Sequence, residues 1–565
     1  MYITRKILAP VIVPAIFAWT LLPHAVSAAP RSGATVPHIA GARDLGPLPP
    51  ATPVHLVAGL RLRNLAQLQQ LILRESERGP LYHRFLTPAQ ARDAFSPTPA
   101  AYARVLVVLR SAGFRITRTD PMRTMVSVTA PAVVVQRYFA TTLHLISVPH
   151  ARGTIYQNVT PARLPAALAV DVDAVAGFSN SPLIARSSGA RPQSTTHAFV
   201  SPPPPEYGPD NGYGPQLIAG AFDLPSRHGF FGVTATLADV TFGFALDADI
   251  NTYLSYFHIR RLPTATLTNI TIDGGCAFFI GECDVLTASA DAEAIIGTEP
   301  GTAVQIYDTP PTNTGVLDAY SAILAAPPMV VNFPYGQCEL TTGEAALIMD
   351  HDFQLGAAEG ITFVNQSGAG SHACSDGFPA VQAPVDSPNA LASGGADSFV
   401  DQYGNVTRNP IADVLSGGGV SLLFAEPSYQ AGLPGTSPAG RNVPDIAGPA
   451  AINTVGPSVY CNFPAVGCYP GGWHGGLPYV FSAPVAAAIA GVDGGLHSGI
   501  GFINPGLYAI FRRAGYGTSA TPIFRDVTIG CNGLDAYPPY CATPGYDLVT
   551  GIGAPDFWNI IQAAV

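Results

Sequence analysis

Residues 302–307 read Thr302-Ala303-Val304-Gln305-Ile306-Tyr307, a short run rich in apolar and β-branched side chains. Side chains of this kind suit a pleated, buried surface, so the run is expected to be a strand. Three further apolar runs, Val233 to Ala238, Pro328 to Phe333 and Gly360 to Val364, alternate with helical stretches around it. Strands that alternate with helices call for a parallel sheet with helices on its faces. Residues 213–565 are therefore expected to form an α/β domain with a largely parallel sheet and flanking helices.

Upstream, residues 45–185 alternate short apolar strands with two amphipathic helical stretches, Leu65 to Glu75 and Ala100 to Ala112. Between the two regions a Ser, Pro and Gly-rich stretch from Arg186 to Pro215, with Pro202 to Pro205 in a row, reads as an exposed linker over 186–212, open to proteolysis. The first 28 residues read as an export signal: Arg5 and Lys6, an apolar run from Ile7 to Leu22, and small residues from Ala25 to Ala29, with cleavage expected near Ala28. Pro10, Pro14 and Pro23 interrupt the run, which argues against a retained membrane anchor. No later stretch is apolar for long enough to cross a bilayer.

The chain has 565 residues, more than one core usually supports, so two domains and a processed segment are expected. Only 12% of residues are charged, the net charge is −10, and no basic run stands out. Nucleic acid and an anionic membrane surface are thus not expected as electrostatic partners. All eight cysteines lie between Cys276 and Cys541 and fall into local pairs. Proximity suggests bridges of Cys276 with Cys283, Cys338 with Cys374, Cys461 with Cys468 and Cys531 with Cys541, which suits an exported protein. No CxxC or His-x-x-x-His spacing accompanies them, which speaks against zinc.

Two series of short motifs follow one another along the chain. The first segment carries Tyr82-His83-Arg84-Phe85-Leu86-Thr87-Pro88, then Phe95, then Leu109-Arg110-Ser111-Ala112-Gly113-Phe114. The second opens on Tyr213-Gly214-Pro215-Gln216-Leu217 and contains Glu299-Pro300-Gly301, Gly360-Ile361-Thr362, Phe378-Pro379-Ala380, Gly394-Gly395 and Val443-Pro444-Asp445. In this order they resemble the sedolisin family of serine-carboxyl peptidases with its pro-kumamolisin-type propeptide, over nearly the whole chain after the signal. The resemblance implies a ferredoxin-like α+β propeptide domain over 45–185 and a subtilisin-like α/β peptidase domain over 213–565. It also implies a secreted monomer whose partners are its own propeptide and a polypeptide in the substrate cleft.

Near the C-terminus stand Phe524-Arg525-Asp526-Val527-Thr528 and Thr543-Pro544-Gly545-Tyr546-Asp547. Two carboxylates with nearby turn carbonyls supply the several oxygens that a hard cation takes. The resemblance implies one structural Ca2+, with Asp526 and Asp547 as carboxylate ligands and Val527, Thr543 and Gly545 as backbone carbonyl ligands. The alternative is that both aspartates only cap turns.

Sedolisins use a Glu and an Asp four residues apart on one helix, a Ser in a Gly-Thr-Ser-Ala-x-x-Pro run, and a second Asp near the oxyanion. The carboxylates activate the hydroxyl, and a protonated Asp steadies the tetrahedral oxyanion. Anchoring on Pro300-Gly301 places the helix Asp at Asp291 and puts Thr287 where the Glu belongs. Asp291 reads either as a retained site residue or as a solvated helix-surface residue. Glu293 should turn to the opposite side of the helix, and Asp284 lies on roughly the right face but nearly two turns from Asp291. The oxyanion position falls on Ala369, after Ser367-Gly368, and His372 and Asp376 nearby read as loop residues. Counting back from Pro484 puts Val480 at the serine position, and counting forward from Gly475-Gly476 puts Pro478 there. Ser482 is the remaining nearby hydroxyl, either an alternative nucleophile or a residue satisfying backbone donors at the start of a helix. With the Glu, Ser and oxyanion Asp replaced, the expectation is a catalytically impaired homologue that binds peptides. The alternative is an active acid serine endopeptidase with a rearranged site.

Overall fold

The computed structural model describes residues 32–34, 36, 37, 39, 41–148, 155–183, 206–276, 283–368, 379–463, 468, 472–475, 482–533 and 539–564. Residues 43–183 form an α+β layer. Its elements are β1 (Pro53–Leu60), α1 (Leu65–Ser76), α2 (Pro99–Ser111), β2 (Arg115–Thr119), β3 (Met125–Pro131), α3 (Ala132–Phe139) and β4 (Val172–Ala176). The four strands pair antiparallel in the order β2-β3-β1-β4, the βαββαβ arrangement of a ferredoxin-like domain. Thr98 caps α2 and Pro99 opens it, which fixes where that helix begins.

The body is built on an eight-stranded sheet. Its elements are β5 (Thr236–Thr241), β6 (Leu267–Thr271), α4 (Val285–Thr298), β7 (Ala303–Asp308), α5 (Asn313–Ala325), β8 (Val330–Phe333), α6 (Glu344–Ala358), β9 (Thr362–Gln366), β10 (Leu391–Val400), β11 (Val406–Ala412), β12 (Ile446–Ile452) and α7 (Ala483–Leu496). The order is β6-β7-β5-β8-β9-β10-β11, with β12 also paired to β10, and every pairing is parallel except β10 with β11. Helices cover both faces, as a parallel sheet requires. The expected α/β architecture is observed, with shifts at strand ends. Val233 lies outside its strand and is 41% exposed, because the ladder with Ala303 starts only at Thr236.

Successive residues of β3 are buried from Met125 to Ala130, so both faces of that strand are covered. One face packs on α2 and α3, and the other packs on α5 of the body, while α6 takes α1 and β4. The motif Tyr82 to Pro88 joins this seam. The amide of Leu86 donates to the Ala358 carbonyl at 2.8 Å. The Phe85 ring fills a notch left by Gly360 and Gly501, where a Cβ would lie 2.7 and 2.6 Å from ring atoms. Both glycines have positive φ, so other residues are disfavoured there on two counts. Phe85→Ala is expected to cost the seam about 2 kcal/mol, less than a fully buried Phe because the ring is half-buried. Faster hydrogen exchange across α1 and β3 would register it, and unchanged exchange would remove Phe85 from the seam.

The bridges Cys276–Cys283, Cys461–Cys468 and Cys531–Cys541 are present as expected. Cys338 is disulfide-bonded too, but Cys374 lies outside the described residues. Of the linker stretch, Glu206 to Tyr213 is not free: Tyr207 and Tyr213 are buried, and Tyr213 donates its amide to Gly456.

Candidate active site

Helix α4 begins at Asp284, whose side chain accepts the Thr287 amide at 3.1 Å and so caps the first turn. The same carboxylate accepts the Thr287 hydroxyl at 2.7 Å and the Tyr335 hydroxyl at 3.3 Å. Thr287 thus stands on the helix without a carboxyl group of its own, but with one folded onto it. The sequence separation of Asp284 from Asp291 concealed this, because an N-cap residue leaves the helical path and its side chain bends back over the first turn.

Asp291 is completely buried, so the solvated-surface alternative is wrong. The face of α4 that carries it packs on the sheet and α7 rather than on solvent. Its Oδ2 accepts from Asn332 Nδ2 at 3.3 Å, and the same amide donates to Asp239 at 2.8 Å. Register explains this, since Asp239 on β5 and Asn332 on β8 are paired neighbours in the sheet. Burial pushes the Asp291 carboxyl well above the ordinary carboxylate range, and the charges of Asp239 and Asp284 push it further. Burial raises Asp239 as well. One oxygen of each carboxyl and the Asn332 carbonyl have no partner among the described residues. Asp239, Asn332 and Tyr335 were missed because each sits in or beside an apolar strand run. The one signal was an Asp and an Asn interrupting two such runs. Glu293 does turn away, as expected, and accepts the Tyr460 amide at 3.2 and 3.0 Å.

Ser482 immediately precedes α7, is fully buried, and makes no capping bond, contrary to the expectation that it satisfies backbone donors. Its Oγ has no hydrogen-bond partner, so no carboxylate reaches it among the described residues. A hydroxyl without a base nearby remains a poor nucleophile. Ala369, His372, Asp376, Pro478 and Val480 lie outside the described residues.

The two C-terminal segments do come together. The Gly545 amide donates to both oxygens of Asp526, at 3.3 and 3.2 Å. Asp547 is buried and accepts the amides of Thr543, Val549 and Thr550 and the Thr550 hydroxyl, which is the turn-capping role foreseen as the alternative. Burial raises its carboxyl, and these donors work against the rise. The carbonyls of Val527, Thr543 and Gly545 accept no hydrogen bond among the described residues. Two carboxylates and three uncommitted carbonyls form an oxygen donor set that fits a hard cation. No cluster of three or more His, Cys, Asp or Glu side chains suited to a metal occurs among the described residues, so such an ion would depend on those carbonyls.

Comparison with known proteins gives a consistent picture. Residues 40–181 match the pro-kumamolisin activation domain. The chain is similar to sedolisin of Pseudomonas sp. (strain 101), at 27% identity over 89% of this chain and 85% of that protein. It is also similar to kumamolisin of Bacillus sp. (strain MN-32), at 25% identity over 92% and 93%. Among solved structures it is similar to Pseudomonas sedolisin complexed with two molecules of pseudo-iodotyrostatin, at 22% identity and a TM-score of 0.49, over 62% of this chain and 97% of that one.

Proposed function

We propose that this chain, which carries a pro-kumamolisin activation domain over residues 40–181 and is similar to sedolisin and kumamolisin, is a secreted, calcium-binding member of the sedolisin family in which the family catalysis is impaired and the former substrate cleft holds a polypeptide. The observation that carries the reading is Ser482, whose hydroxyl is buried without a hydrogen-bond partner among the described residues. Thr287 in place of a carboxylate supports it. The test is peptide hydrolysis and self-cleavage in acid, set beside equilibrium binding of a peptide library. Binding without turnover is expected, and turnover abolished by Asp291→Ala would overturn the reading.

A second reading, an acid-active endopeptidase with a rearranged centre, draws on the Asp284 carboxylate that lies against Thr287 and whose charge reaches Asp291. Two carboxyl groups then survive at this end of α4. It requires that Asp284→Asn abolish acid hydrolysis, whereas the first reading leaves nothing to abolish.

Secretion rests on residues 1–28 and on the disulfides, which persist in oxidising compartments. Among the described residues no helix is long and apolar enough to cross a membrane. Calcium would be held by Asp526, Asp547 and the carbonyls of Val527, Thr543 and Gly545, and its role would be to pin a loop-rich C-terminus. Adding calcium to about 100 times its Kd is expected to stabilise the chain by about 2.7 kcal/mol. Thermal unfolding with calcium and with chelator measures this. A midpoint indifferent to calcium in the unmodified chain would exclude the site, as would an equal shift in Asp526→Asn/Asp547→Asn.

A further inference from the structure

The seam between the N-terminal layer and the body buries carboxyl groups against one another. Thr124, the residue before β3, is fully buried, and its Oγ lies 2.8 Å from Asp120 Oδ2 and 3.0 Å from Asp352 Oδ1. Asp120 belongs to the layer and Asp352 to α6 of the body. A threonine hydroxyl carries one proton and donates to one of the two oxygens. The other short contact needs a proton from the second carboxyl group. Asp120 is fully supplied as a carboxylate: it also accepts the amides of Met122, Thr124 and Met125 and the Ser321 hydroxyl. Among the described residues Asp352 has no donor besides Thr124, and its Oδ2 has no partner. The proton therefore sits on Asp352 Oδ1, which donates to Thr124 Oγ, which donates to Asp120.

We propose that Asp352 is a neutral carboxyl group that locks the N-terminal layer onto the body, so that docking takes up a proton and loosens as the pH rises. The surroundings agree. Burial pushes Asp352 well up, and the charges of Asp120 and Glu359 add to it. Tyr320 of α5 is the other titratable group in its field. From the remaining elements packed on α6, α1 brings Glu75, which burial raises to about 8, and β4 brings Asp173, 3.6 Å from His351. Glu359 is likewise raised to about 8. The helix Pro88–Phe95 brings Arg92 and Asp93, which pair with each other, and Arg123 turns to Asp93 rather than to Asp120 or Asp352. No ion pair neutralises Asp120 or Asp352 among the described residues. Elsewhere on the seam Arg118 pairs with Asp273 and Asp318, and those pairs act in the opposite sense because they need ionised carboxylates.

The sign follows from which state holds the proton. An opened seam exposes Asp352, which then ionises near its ordinary value of about 3.9. Docking is at full strength below that pH and weakens by up to about tenfold per pH unit above it, until the raised docked value is reached. Glu75 and Glu359 contribute in the same direction up to their own values.

Hydrogen exchange of β3 and α6 in the full chain, corrected for intrinsic rates, reads the opening constant. Between about pH 5 and about pH 7 it should rise at least tenfold in the unmodified chain. In Asp352→Asn, whose amide can donate to Thr124 at any pH, the rise should shrink by up to about tenfold per pH unit, and Asp352→Glu should keep it. A merely structural role would shift protection equally at all pH values. The proposal is overturned by an unmodified slope in Asp352→Asn, or by seam protection in the unmodified chain that stays constant or grows with pH. The latter measurement decides the matter even where the variant does not fold.

Discussion

Asp445→Ala is expected to destabilise the chain by about 3 to 5 kcal/mol, because it leaves a buried guanidinium without its counter-charge. Arg441 and Asp445 are both completely buried and form a bidentate pair, Nη1 to Oδ1 at 2.8 Å and Nη2 to Oδ2 at 2.6 Å. The carboxylate also accepts the Ala392 amide at 2.8 Å, Asn504 Nδ2 at 3.0 Å and the Tyr508 hydroxyl at 2.9 Å. These donors come from β10, from the segment before β12 and from the C-terminal helix region, so the group ties together elements far apart in sequence. The pair as a whole need not be favourable, since desolvating two charges offsets their attraction. A double replacement, Arg441→Met with Asp445→Leu, should therefore cost less than either single change. Urea unfolding of the full chain measures this through midpoints at constant slope. A loss below about 1 kcal/mol in Asp445→Ala would show that the pair is not a structural tie.

The motif Val443-Pro444-Asp445 was legible as a landmark, but its physical role was not, because the partners that explain it lie on other elements. The same division runs through the molecule. Local pattern located the helices closely: Leu65 to Glu75 became Leu65–Ser76, and Ala100 to Ala112 became Pro99–Ser111. Apolar runs located the strands of the body but misplaced the first, since Asp239 breaks the run within β5 and only pairing with Asn332 accounts for it. Asp284 was misjudged because helical periodicity says nothing about a capping side chain. The seam was beyond reach for a simpler reason. Thr124 and Asp352 are 228 positions apart, and neither stands out alone.

The unmodified chain is expected to hydrolyse peptides in acid on the order of a millionfold more slowly than a relative with a working nucleophile. That factor corresponds to about 8 kcal/mol of transition-state stabilisation, more than the remaining groups can replace. Ser482 is buried and meets no base among the described residues, Thr287 has no carboxylate of its own, and the raised Asp291 favours the neutral carboxyl, which accepts no proton. Three outcomes are tied to this in one assay. Any residual rate should survive Ser482→Ala unchanged. The stretch 186–212 should stay uncut during prolonged acid incubation. Asp291→Ala should alter stability but not turnover, because it leaves without an acceptor the Asn332 N–H that faced Asp291, while the bond of Asn332 to Asp239 stays. A rate that vanishes in Asp291→Ala and in Asp284→Asn while the fold persists would instead assign the chemistry to the carboxyl groups at the start of α4. The impaired reading would then give way to the rearranged one, with Asp284 doing from the N-cap what Thr287 cannot do from the helix.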